Sequence, residues 1–446
     1  LSEALRRPMT SLASADMTLA LGAFILLFVL LFAGLPIAFG LLLIGFAGFA
    51  LLQGLPAALA MVGQVGFTTV MNEELSVIPL FILMGGFIAA SRLSDDLFSA
   101  ANAFVGHLKG GLAMSSVIAS AGFASVCGSS FATAATMAKV SMPPMRRFGY
   151  ADSLASASVA AGATLGIMIP PSVPLLIYGF MTRTDVGKLF IAAIVPGLLG
   201  TLLYIGAVMW SVWRNPDSGK AGERSNAGER LRSLRKVWAV AVLFAFIIGG
   251  IYLGVFTPTE AAGVGAFAGF LFAAARRELG GGRLVEVLLE AARSTCSILI
   301  LLIGALVFSN FIDIAGVPKA LGAAVQTIAS EPWMVIVLIL LVYLVLGCIL
   351  DSMSMLFLTV PVFYPIVSAL GYDLVWFGIL VVTMVEVALI TPPVGLNVFV
   401  LHQVQPDIPT RTIFRGLAPF VTADLIRVSA LVAVPSIALW LPGLMG

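Results

Sequence analysis

Two groups of hydroxyl side chains lie inside otherwise apolar parts of the chain and are the best candidates for chemistry. The first is in 128–136 (GSSFATAAT) and the second, with a carboxylate, is in 351–354 (DSMS). A polar group in hydrocarbon is costly unless it is paired or lines a site. Such hydroxyls can simply bond back to helix carbonyls. Because the two groups recur at corresponding positions in two halves of the chain, a binding role is favoured.

Two double prolines interrupt apolar runs, in 166–174 (GIMIPPSVP) and 390–397 (ITPPVGLN). Proline removes an amide donor and clashes with the preceding turn, so a helix must break there. Carbonyls and half-helix ends freed in this way can hold Na⁺ and an anionic group of a substrate. A kink that only shapes the bundle is the alternative, but the recurrence of the break favours a site.

Three acidic residues, Glu260, Asp351 and Glu386, lie in apolar segments. Ionised carboxylates are costly in a membrane, so they are usually functional or paired. Asp351 at a hairpin tip favours a functional role. Glu260 favours a structural role, because a carboxylate in the first turn of a helix complements the helix dipole. Glu386 fits an ion-site support and a packing partner equally well.

The composition indicates a membrane protein. Of 446 residues, 60% are hydrophobic and 10% charged, against about 25% charged in soluble domains. The net charge of +2 provides no basic surface for nucleic acid, which is therefore not expected as a partner. The chain has no HExxH, GxSxG or GxxxxGK[ST] motif, so neither an enzyme nor a transporter with its own ATP site is expected.

Ten apolar runs are predicted to cross the bilayer. Two further stretches, 111–145 and 333–367, carry polar and proline residues near their middle and are predicted to be re-entrant hairpins. The ten runs are 19–36, 37–62, 77–91, 154–181, 189–213, 238–256, 259–275, 296–312, 374–401 and 417–445.

The two halves of the chain are related as an internal repeat. Pro36 is followed 222 residues later by Pro258, and the same shift brings the first double proline onto the second. An odd number of crossings per half requires the second copy to be inverted. The predicted fold is an all-α integral membrane protein with two inverted repeats, 19–213 and 238–446. Each has five transmembrane helices, a re-entrant hairpin and a Pro-Pro broken helix.

The basic segment 214–237 between the repeats is predicted to be a solvated cytoplasmic linker. This placement puts most of the loop Lys and Arg residues in the cytoplasm, as the positive-inside rule requires, and both chain ends in the periplasm. Residues 1–18 are expected to form a short extramembrane lead. Segments 94–109, called the arm, and 283–293 are predicted to be interfacial helices.

Five long motifs closely resemble the large membrane subunit of tripartite ATP-independent periplasmic (TRAP) transporters, the DctM-like family. The resemblance covers about residues 17–445. The motifs are GSSFATAATMAKVSMPPM, GYADSLASASVAAGATLGIMIPPSVPLLIYG, TPTEAAGVGA, ILDSMSMLFLTVPVFYPI and LITPPVGLNVFVLHQV.

The resemblance implies a bacterial importer of the inner membrane that couples uptake of an organic acid to Na⁺ and needs no other cofactor. It implies two partners, a small four-helix membrane subunit (DctQ-like) and a periplasmic substrate-binding protein (DctP-like). It also implies an elevator mechanism, with the hairpins, broken helices and last helices of the repeats moving against a scaffold. The scaffold would comprise 19–91 and 238–312.

The resemblance further implies two sodium sites and a substrate site between the hairpin tips. The first sodium site would use Ser129, Ser130 and carbonyls from Gly166 to Ile169. The second would use Asp351, Ser352, Ser354, Thr391, Gly395 and Asn397. The substrate would lie near Thr133, Pro171, Ser172 and Pro393.

A stand-alone ion-coupled carboxylate transporter or exporter of the same superfamily is the alternative. Such a protein would share this architecture and would need no binding protein. A full fusion with the small subunit is not expected, because no four-helix unit precedes residue 17.

Overall fold

The computed structural model describes residues 2–328, 331–347 and 349–445. The first residue of the predicted lead, residue 348 of the second predicted hairpin and the last residue of the second repeat therefore lie outside the described residues. Within these ranges every regular element is helical, and no strand is present. The predicted all-α class is confirmed.

Twenty α-helices are found in the described residues, joined by turns and four short 3-10 segments. The helices are α1 Ser2–Phe32, α2 Ile37–Gln53, α3 Leu55–Val70, α4 Val77–Ala90, α5 Leu93–Val105, α6 Gly111–Cys127, α7 Ser130–Arg147, α8 Asp152–Thr164, α9 Val173–Thr182, α10 Val186–Arg214, α11 Ala227–Tyr252, α12 Pro258–Ala275, α13 Arg283–Ile314, α14 Val317–Ile328, α15 Pro332–Gly347, α16 Ser352–Ala369, α17 Leu374–Ile390, α18 Leu396–Val404, α19 Thr410–Ala433 and α20 Ser436–Leu439.

Seven of the described helical segments are long and apolar enough to cross a membrane, and several shorter apolar helices accompany them. The chain is therefore a multi-pass membrane protein. The seven segments are Glu73–Ala90, Val186–Arg214, Ala227–Tyr252, Pro258–Ala275, Arg283–Ile314, Ser352–Ala369 and Thr410–Ala433.

Two predicted boundaries differ from the structure. The predicted run 37–62 is divided into α2 and α3, because Gly54 has a φ of +88° and Pro56 lies in the first turn of α3. The predicted interfacial segment 283–293 is continuous with the predicted span 296–312 in α13. No proline or glycine separates those two segments, so the helix continues from one into the other.

At three other places a helix begins or ends a few residues away from the predicted boundary, but the predicted segment is still helical. The lead predicted at 1–18 is helical from Ser2 onward, as part of α1. The arm predicted at 94–109 is the helix α5, which ends at Val105. The last predicted run ends its long helix at Ala433, shortly before Pro435, as expected for a residue that cannot continue a helix.

The chain divides into two compact units, and each draws segments from both predicted repeats. Unit 1 comprises Leu1–Ser76, Arg293–Leu341 and Met353–Leu374. Unit 2 comprises Val77–Ala292, Val342–Ser352 and Val375–Gly446.

In unit 1, α2 packs closely against α13. A Cβ atom added to Gly45 would lie 2.6 Å from the backbone nitrogen of Phe308, and one on Gly304 would lie 2.5 Å from the Ala38 carbonyl oxygen. Only glycine permits such an approach between two helix backbones. The Phe24 and Phe308 rings meet edge to face, with centroids 5.3 Å apart.

In unit 2, α8 is surrounded by α6, α7 and α19. Most of its residues are Ala, Ser or Gly, and all are buried from Leu154 onward, so its neighbours approach closely. A Cβ on Gly416 of α19 would lie 2.0 Å from the Ser153 carbonyl oxygen, and one on Gly162 would lie 2.9 Å from Ser120 Oγ. The first double proline therefore follows a helix that is fixed on several sides.

The first part of the predicted linker 214–237 is bound to unit 2 rather than fully solvated. Residues 215–222, here called the strap, lie beside the start of α6 and the start of α8. The contacts are Gly222 N–H to Gly106 O at 2.9 Å, Gly110 N–H to Gly219 O at 3.1 Å, Ala151 N–H to Ser218 O at 3.0 Å and Tyr150 O–H to Lys220 O at 2.8 Å. After the strap, Asn226 and Glu229 form a capping box that starts α11.

Candidate functional site

The first double proline lies in a buried interruption between α8 and α9. A 3-10 segment, Leu165–Ile167, follows α8, and the Pro170-Pro171 peptide bond is cis. Ser172 closes the interruption, because its hydroxyl donates to the Ile167 carbonyl and accepts from the Leu175 amide at 3.3 Å. The break predicted within 154–181 is therefore present, and a side-chain hydroxyl holds its two ends together.

The tip of the first hairpin lies between α6 and α7. Gly128 ends α6 with a φ of +62°, a left-handed conformation that suits glycine. Ser129 caps α7 by accepting a hydrogen bond from the Ala132 amide. Thr133 Oγ1 donates to the Ser129 carbonyl oxygen at 2.7 Å. The tip is thus rich in carbonyl and hydroxyl oxygens.

This tip contacts the first break directly. A Cβ on Gly166 would lie 3.0 Å from the Ser129 carbonyl oxygen and 3.1 Å from Thr133 Oγ1, and one on Gly128 would lie 2.9 Å from the Pro171 carbonyl oxygen. The structure therefore brings most of the first predicted sodium site together, with Thr133, Pro171 and Ser172 of the predicted substrate site beside it. Ile169 is half-buried and its side chain approaches Gly197, whereas Ser130 is buried at the start of α7.

The second break, between α17 and α18, is more open. Its Pro392-Pro393 bond is also cis, both prolines are exposed, and Gly395 precedes α18 with a φ of +59°. Thr391 Oγ1 donates to the Val387 carbonyl of its own helix at 2.5 Å. No side chain caps α18. Of the predicted substrate residues, Pro393 is thus on an exposed turn.

Asn397 connects the second break to α8. Its Nδ2 donates to the Ala160 carbonyl oxygen at 3.2 Å. Its Oδ1 is buried and has no hydrogen-bond partner among the described residues. A buried amide oxygen beside a helix break is a suitable ligand for a hard cation.

The remaining residues of the second predicted sodium site lie where α16 begins. Asp351 is half-buried, and Ser352 is buried with no hydrogen-bond partner for its hydroxyl among the described residues. Asp351 and Ser352 belong to unit 2, whereas Ser354, which is also buried, belongs to unit 1. The structure thus groups Thr391, Gly395 and Asn397 around the second break and the other three residues at the start of α16.

Two of the acidic residues singled out in the sequence have structural partners. Glu260 and Thr257 form a capping box at the start of α12, which confirms the structural role favoured for Glu260. Glu386 is fully buried and forms an ion pair with Arg427. This contact gives Glu386 a structural partner, and its predicted role as an ion-site support stays a prediction.

Glu386 is part of a buried network that the sequence analysis did not predict. Arg427 Nη2 donates to Glu386 Oε2 and, at 2.8 Å, to Asp424 Oδ1. The Tyr204 hydroxyl donates to Asp424 Oδ2 at 2.7 Å and lies 3.0 Å from Thr164 Oγ1. All five side chains are fully buried. The available signal was an acidic and a basic residue three positions apart in an apolar helix.

An exposed cluster of ionic contacts connects the end of the first hairpin with the segment after α18. Arg146 donates to Asp152 Oδ1 at 3.0 Å, to Asp407 Oδ2 at 2.5 Å and to Gln405 Oε1 at 3.3 Å. The hydrogen bond from the Arg146 guanidinium holds the pKa of Asp407 below its usual value.

Among the described residues, no group of three or more His, Cys, Asp or Glu side chains is placed to hold a metal ion. The oxygens at the first break are instead carbonyls and hydroxyls. Such oxygens suit a weakly held hard cation, and the adjacent half-helix ends suit an anion.

Comparisons with known proteins identify transporter permeases of one family. A family model described as "Tripartite ATP-independent periplasmic transporter, DctM component" matches residues 24–437. The C4-dicarboxylate TRAP transporter large permease protein DctM of Pseudomonas aeruginosa is 35% identical, over 85% of this chain and 88% of that protein. The sialic acid TRAP transporter large permease protein SiaM of Vibrio cholerae is 34% identical, over 93% and 96%. The ectoine/5-hydroxyectoine permease UehC of Ruegeria pomeroyi is 32% identical, over 94% and 97%.

A solved structure shares the fold. The YdaH transporter of Alcanivorax borkumensis aligns with a TM-score of 0.60 over 88% of this chain and 90% of that chain, at 14% sequence identity. At this identity the similarity concerns the helical fold alone and carries no information about function or substrate.

Proposed function

The chain belongs to the DctM family of TRAP transporter large permeases, and from this we propose that it imports an organic acid together with Na⁺. The relatives are named for C4-dicarboxylate, sialic acid and ectoine transport. These three compounds carry a carboxylate group, and isethionate, for which a further relative is named, carries a sulfonate group. We therefore propose a small organic acid, of the carboxylate or sialic-acid type, as the substrate here.

One observation carries the sodium proposal. The broken helix and the first hairpin tip meet at Gly166, which places the Ser129 carbonyl and Thr133 Oγ1 beside the interrupted backbone. Transporters use such interruptions to hold coupling ions and anionic substrate groups. The proposed first sodium site comprises Ser129, Ser130 and the carbonyls from Gly166 to Ile169, with Thr133 of the proposed substrate site beside it. The proposed second site comprises Asp351, Ser352, Ser354, Thr391, Gly395 and Asn397. The Oδ1 atom of Asn397 is buried and has no hydrogen-bond partner in the part of the chain that the structure describes.

The proposal includes the assembly and the mechanism. A small four-helix membrane subunit and a periplasmic binding protein would complete the transporter in the inner membrane, with the linker on the cytoplasmic side. The two repeats would be inverted, and the hairpins and broken helices would move as an elevator. The repeated double prolines support this proposal, because inverted repeats with paired broken helices characterise ion-coupled transporters.

The first test is thermal unfolding of the purified chain titrated with NaCl, KCl or choline chloride at equal ionic strength. A ligand bound only by the folded state stabilises it by about 2.7 kcal/mol at a hundredfold excess over Kd. We expect a saturable rise in unfolding temperature with NaCl alone. An equal response to all three salts would overturn sodium coupling.

Two matched variants locate the ion. Thr133 and Thr201 are both buried, and both donate to the carbonyl four residues earlier. Only Thr133 lies at the contact between tip and break. We expect Thr133→Val to raise the NaCl concentration at half-maximal response about tenfold, as for loss of a contact worth about 1.4 kcal/mol. Thr201→Val should leave it unchanged, and equal midpoints would place the ion elsewhere.

A transport assay separates the proposal from the stand-alone alternative. Proteoliposomes containing the chain and its small subunit are given a radiolabelled C4-dicarboxylate probe and an inward Na⁺ gradient. Uptake that requires the binding protein supports the three-component transporter. Uptake without it favours the stand-alone alternative.

A further inference from the structure

The buried network around Arg427 connects the two helix breaks within unit 2. Thr164 is the last residue of α8, just before the 3-10 segment of the first break. Glu386 lies one turn before Ile390, where α17 ends at the second break. The contacts run from Thr164 through Tyr204 and Asp424 to the guanidinium and on to Glu386. The ends of the network therefore lie at the two places where the candidate ion sites form.

The hydrogen-bond chemistry gives the network a direction. A carboxylate can only accept, so the Tyr204 hydroxyl donates to Asp424 and can only accept from Thr164. The single Thr164 proton has two acceptors, the Tyr204 oxygen at 3.0 Å and the Ala161 carbonyl at 2.8 Å. The Thr164 hydroxyl can therefore donate either to a carbonyl of its own helix or to the network.

The backbone is adapted to the guanidinium. A Cβ on Gly200 of α10 would lie 2.2 Å from Arg427 Nη1, so only glycine leaves the space. Two carboxylates and one guanidinium are costly to bury, and apolar side chains of similar volume would stabilise packing equally well. Stability of the helix packing alone therefore does not account for the cluster.

A second connection joins the same elements. Asn397, just after the second break, donates to Ala160 of α8. Side chains on both sides of the second break therefore form contacts that lead to α8. Asn397, after the break, bonds α8 directly, and Glu386, before the break, is connected to it through the buried network. A movement at one break would be transmitted to the other through these contacts.

We propose that Arg427, Asp424 and Tyr204 are positioning residues that couple the two helix breaks, so that cation binding at one site raises cation affinity at the other. The inference rests on the proposed sodium function. None of the three residues is among the proposed cation ligands. Such coupling is a property of residues between sites, and their substitution changes it by about 0.5–2 kcal/mol.

The test uses two matched tyrosines. Tyr204 and Tyr150 are both buried in unit 2, and each hydroxyl makes two hydrogen bonds, those of Tyr150 being to Lys220 O and from the Leu112 amide. Tyr204→Phe keeps the ring that packs edge to face on Phe420. The NaCl midpoint of the thermal response and its Hill coefficient are measured for wild type, Tyr204→Phe and Tyr150→Phe.

We expect Tyr204→Phe to raise the midpoint roughly 2- to 30-fold and to lower the Hill coefficient toward 1, with Tyr150→Phe unchanged in both. A merely structural role would lower the unfolding temperature in choline chloride and leave the midpoint in place, which would overturn the inference. If Tyr204→Phe yields no folded protein, Thr164→Val decides by the same criteria. Absence of any Na⁺-specific response in wild type would instead defeat the proposed function, and the inference with it.

Discussion

The two helix breaks carry the same proline signature but are held in different ways. The first is buried, is closed by the Ser172 hydroxyl and contacts the first hairpin tip at Gly166. The second exposes both prolines and has no side-chain cap on α18. Its position depends on Glu386 and Asn397, which bond to residues distant in sequence. The same double proline can therefore be stabilised by a neighbouring side chain in one place and by distant residues in another.

The largest effect is expected from removing the remote support. Arg427→Met leaves the buried Glu386 and Asp424 carboxylates without their cation, and we expect the free energy of unfolding to fall by about 3–5 kcal/mol. The measurement is thermal unfolding in choline chloride. Arg411→Met, at an exposed position on the same helix, is the control. Equal unfolding temperatures for the two variants would mean that the second break does not depend on the network.

A methyl group added at each break should act differently. In Gly166→Ala the new Cβ meets the Ser129 carbonyl at 3.0 Å, so we expect about 1–3 kcal/mol of overpacking and a raised NaCl midpoint. In Gly395→Ala the atoms nearest to the new Cβ are at the end of the Phe414 side chain, which can move away. The main cost is therefore the φ of +59°, about 1–2 kcal/mol of backbone strain. If Gly395→Ala moves the midpoint more than Gly166→Ala, the first break is not the tighter site.

The two hydroxyls beside the prolines provide a smaller contrast. Ser172→Ala removes the cap of α9 and should cost about 1 kcal/mol. Thr391→Val removes a hydroxyl that bonds only its own helix and should cost about 0.5 kcal/mol or less. Unfolding temperatures of both variants give the comparison. A larger loss for Thr391→Val would show that the second break, too, is closed by its own hydroxyl.

The smallest effect on stability is expected from the exposed contact between Arg146, at the end of the first hairpin, and Asp407, after α18. The pKa of Asp407 is lowered by the Arg146 hydrogen bond, so its contribution to stability is present above its unfolded-state pKa of about 3.9 and is lost as pH falls through the folded-state value. Wild type should lose this contribution below about pH 4, whereas Asp407→Asn should lack it at all pH values. Parallel curves of unfolding temperature against pH would contradict the assignment.

Much of the fold could be predicted because its determinants are local. Proline cannot continue a helix, so both breaks were evident from Pro170-Pro171 and Pro392-Pro393. The first hairpin turn follows from Gly128 and the capping Ser129. The structural role of Glu260 followed from its place in a first helical turn.

The parts that were missed depend on contacts between distant segments. The partner of Glu386 lies 41 residues away in sequence, and no local pattern identifies Arg427 as that partner. Asp424 and Arg427 lie three positions apart in α19, but that spacing does not reveal the contacts with Tyr204 and Glu386. The division of 37–62 was missed, although Gly54 and Pro56 mark it, because glycine and proline are both common in membrane helices.

The strap has a practical consequence for handling the protein. Its composition is that of a flexible connection, yet Ser218 and Gly219 are paired with backbone groups at the starts of α8 and α6, and Gly222 is paired with the Gly106 carbonyl at the end of α5. Proteolytic cleavage and tag insertion are tolerated best where the backbone is exposed and not hydrogen-bonded to the rest of the protein. In the linker, such backbone is confined to the few residues between Gly222 and the capping Asn226. A cut or an affinity tag placed there would spare the strap, whereas one placed four residues earlier would disrupt the strap's hydrogen bonds beside the starts of α6 and α8.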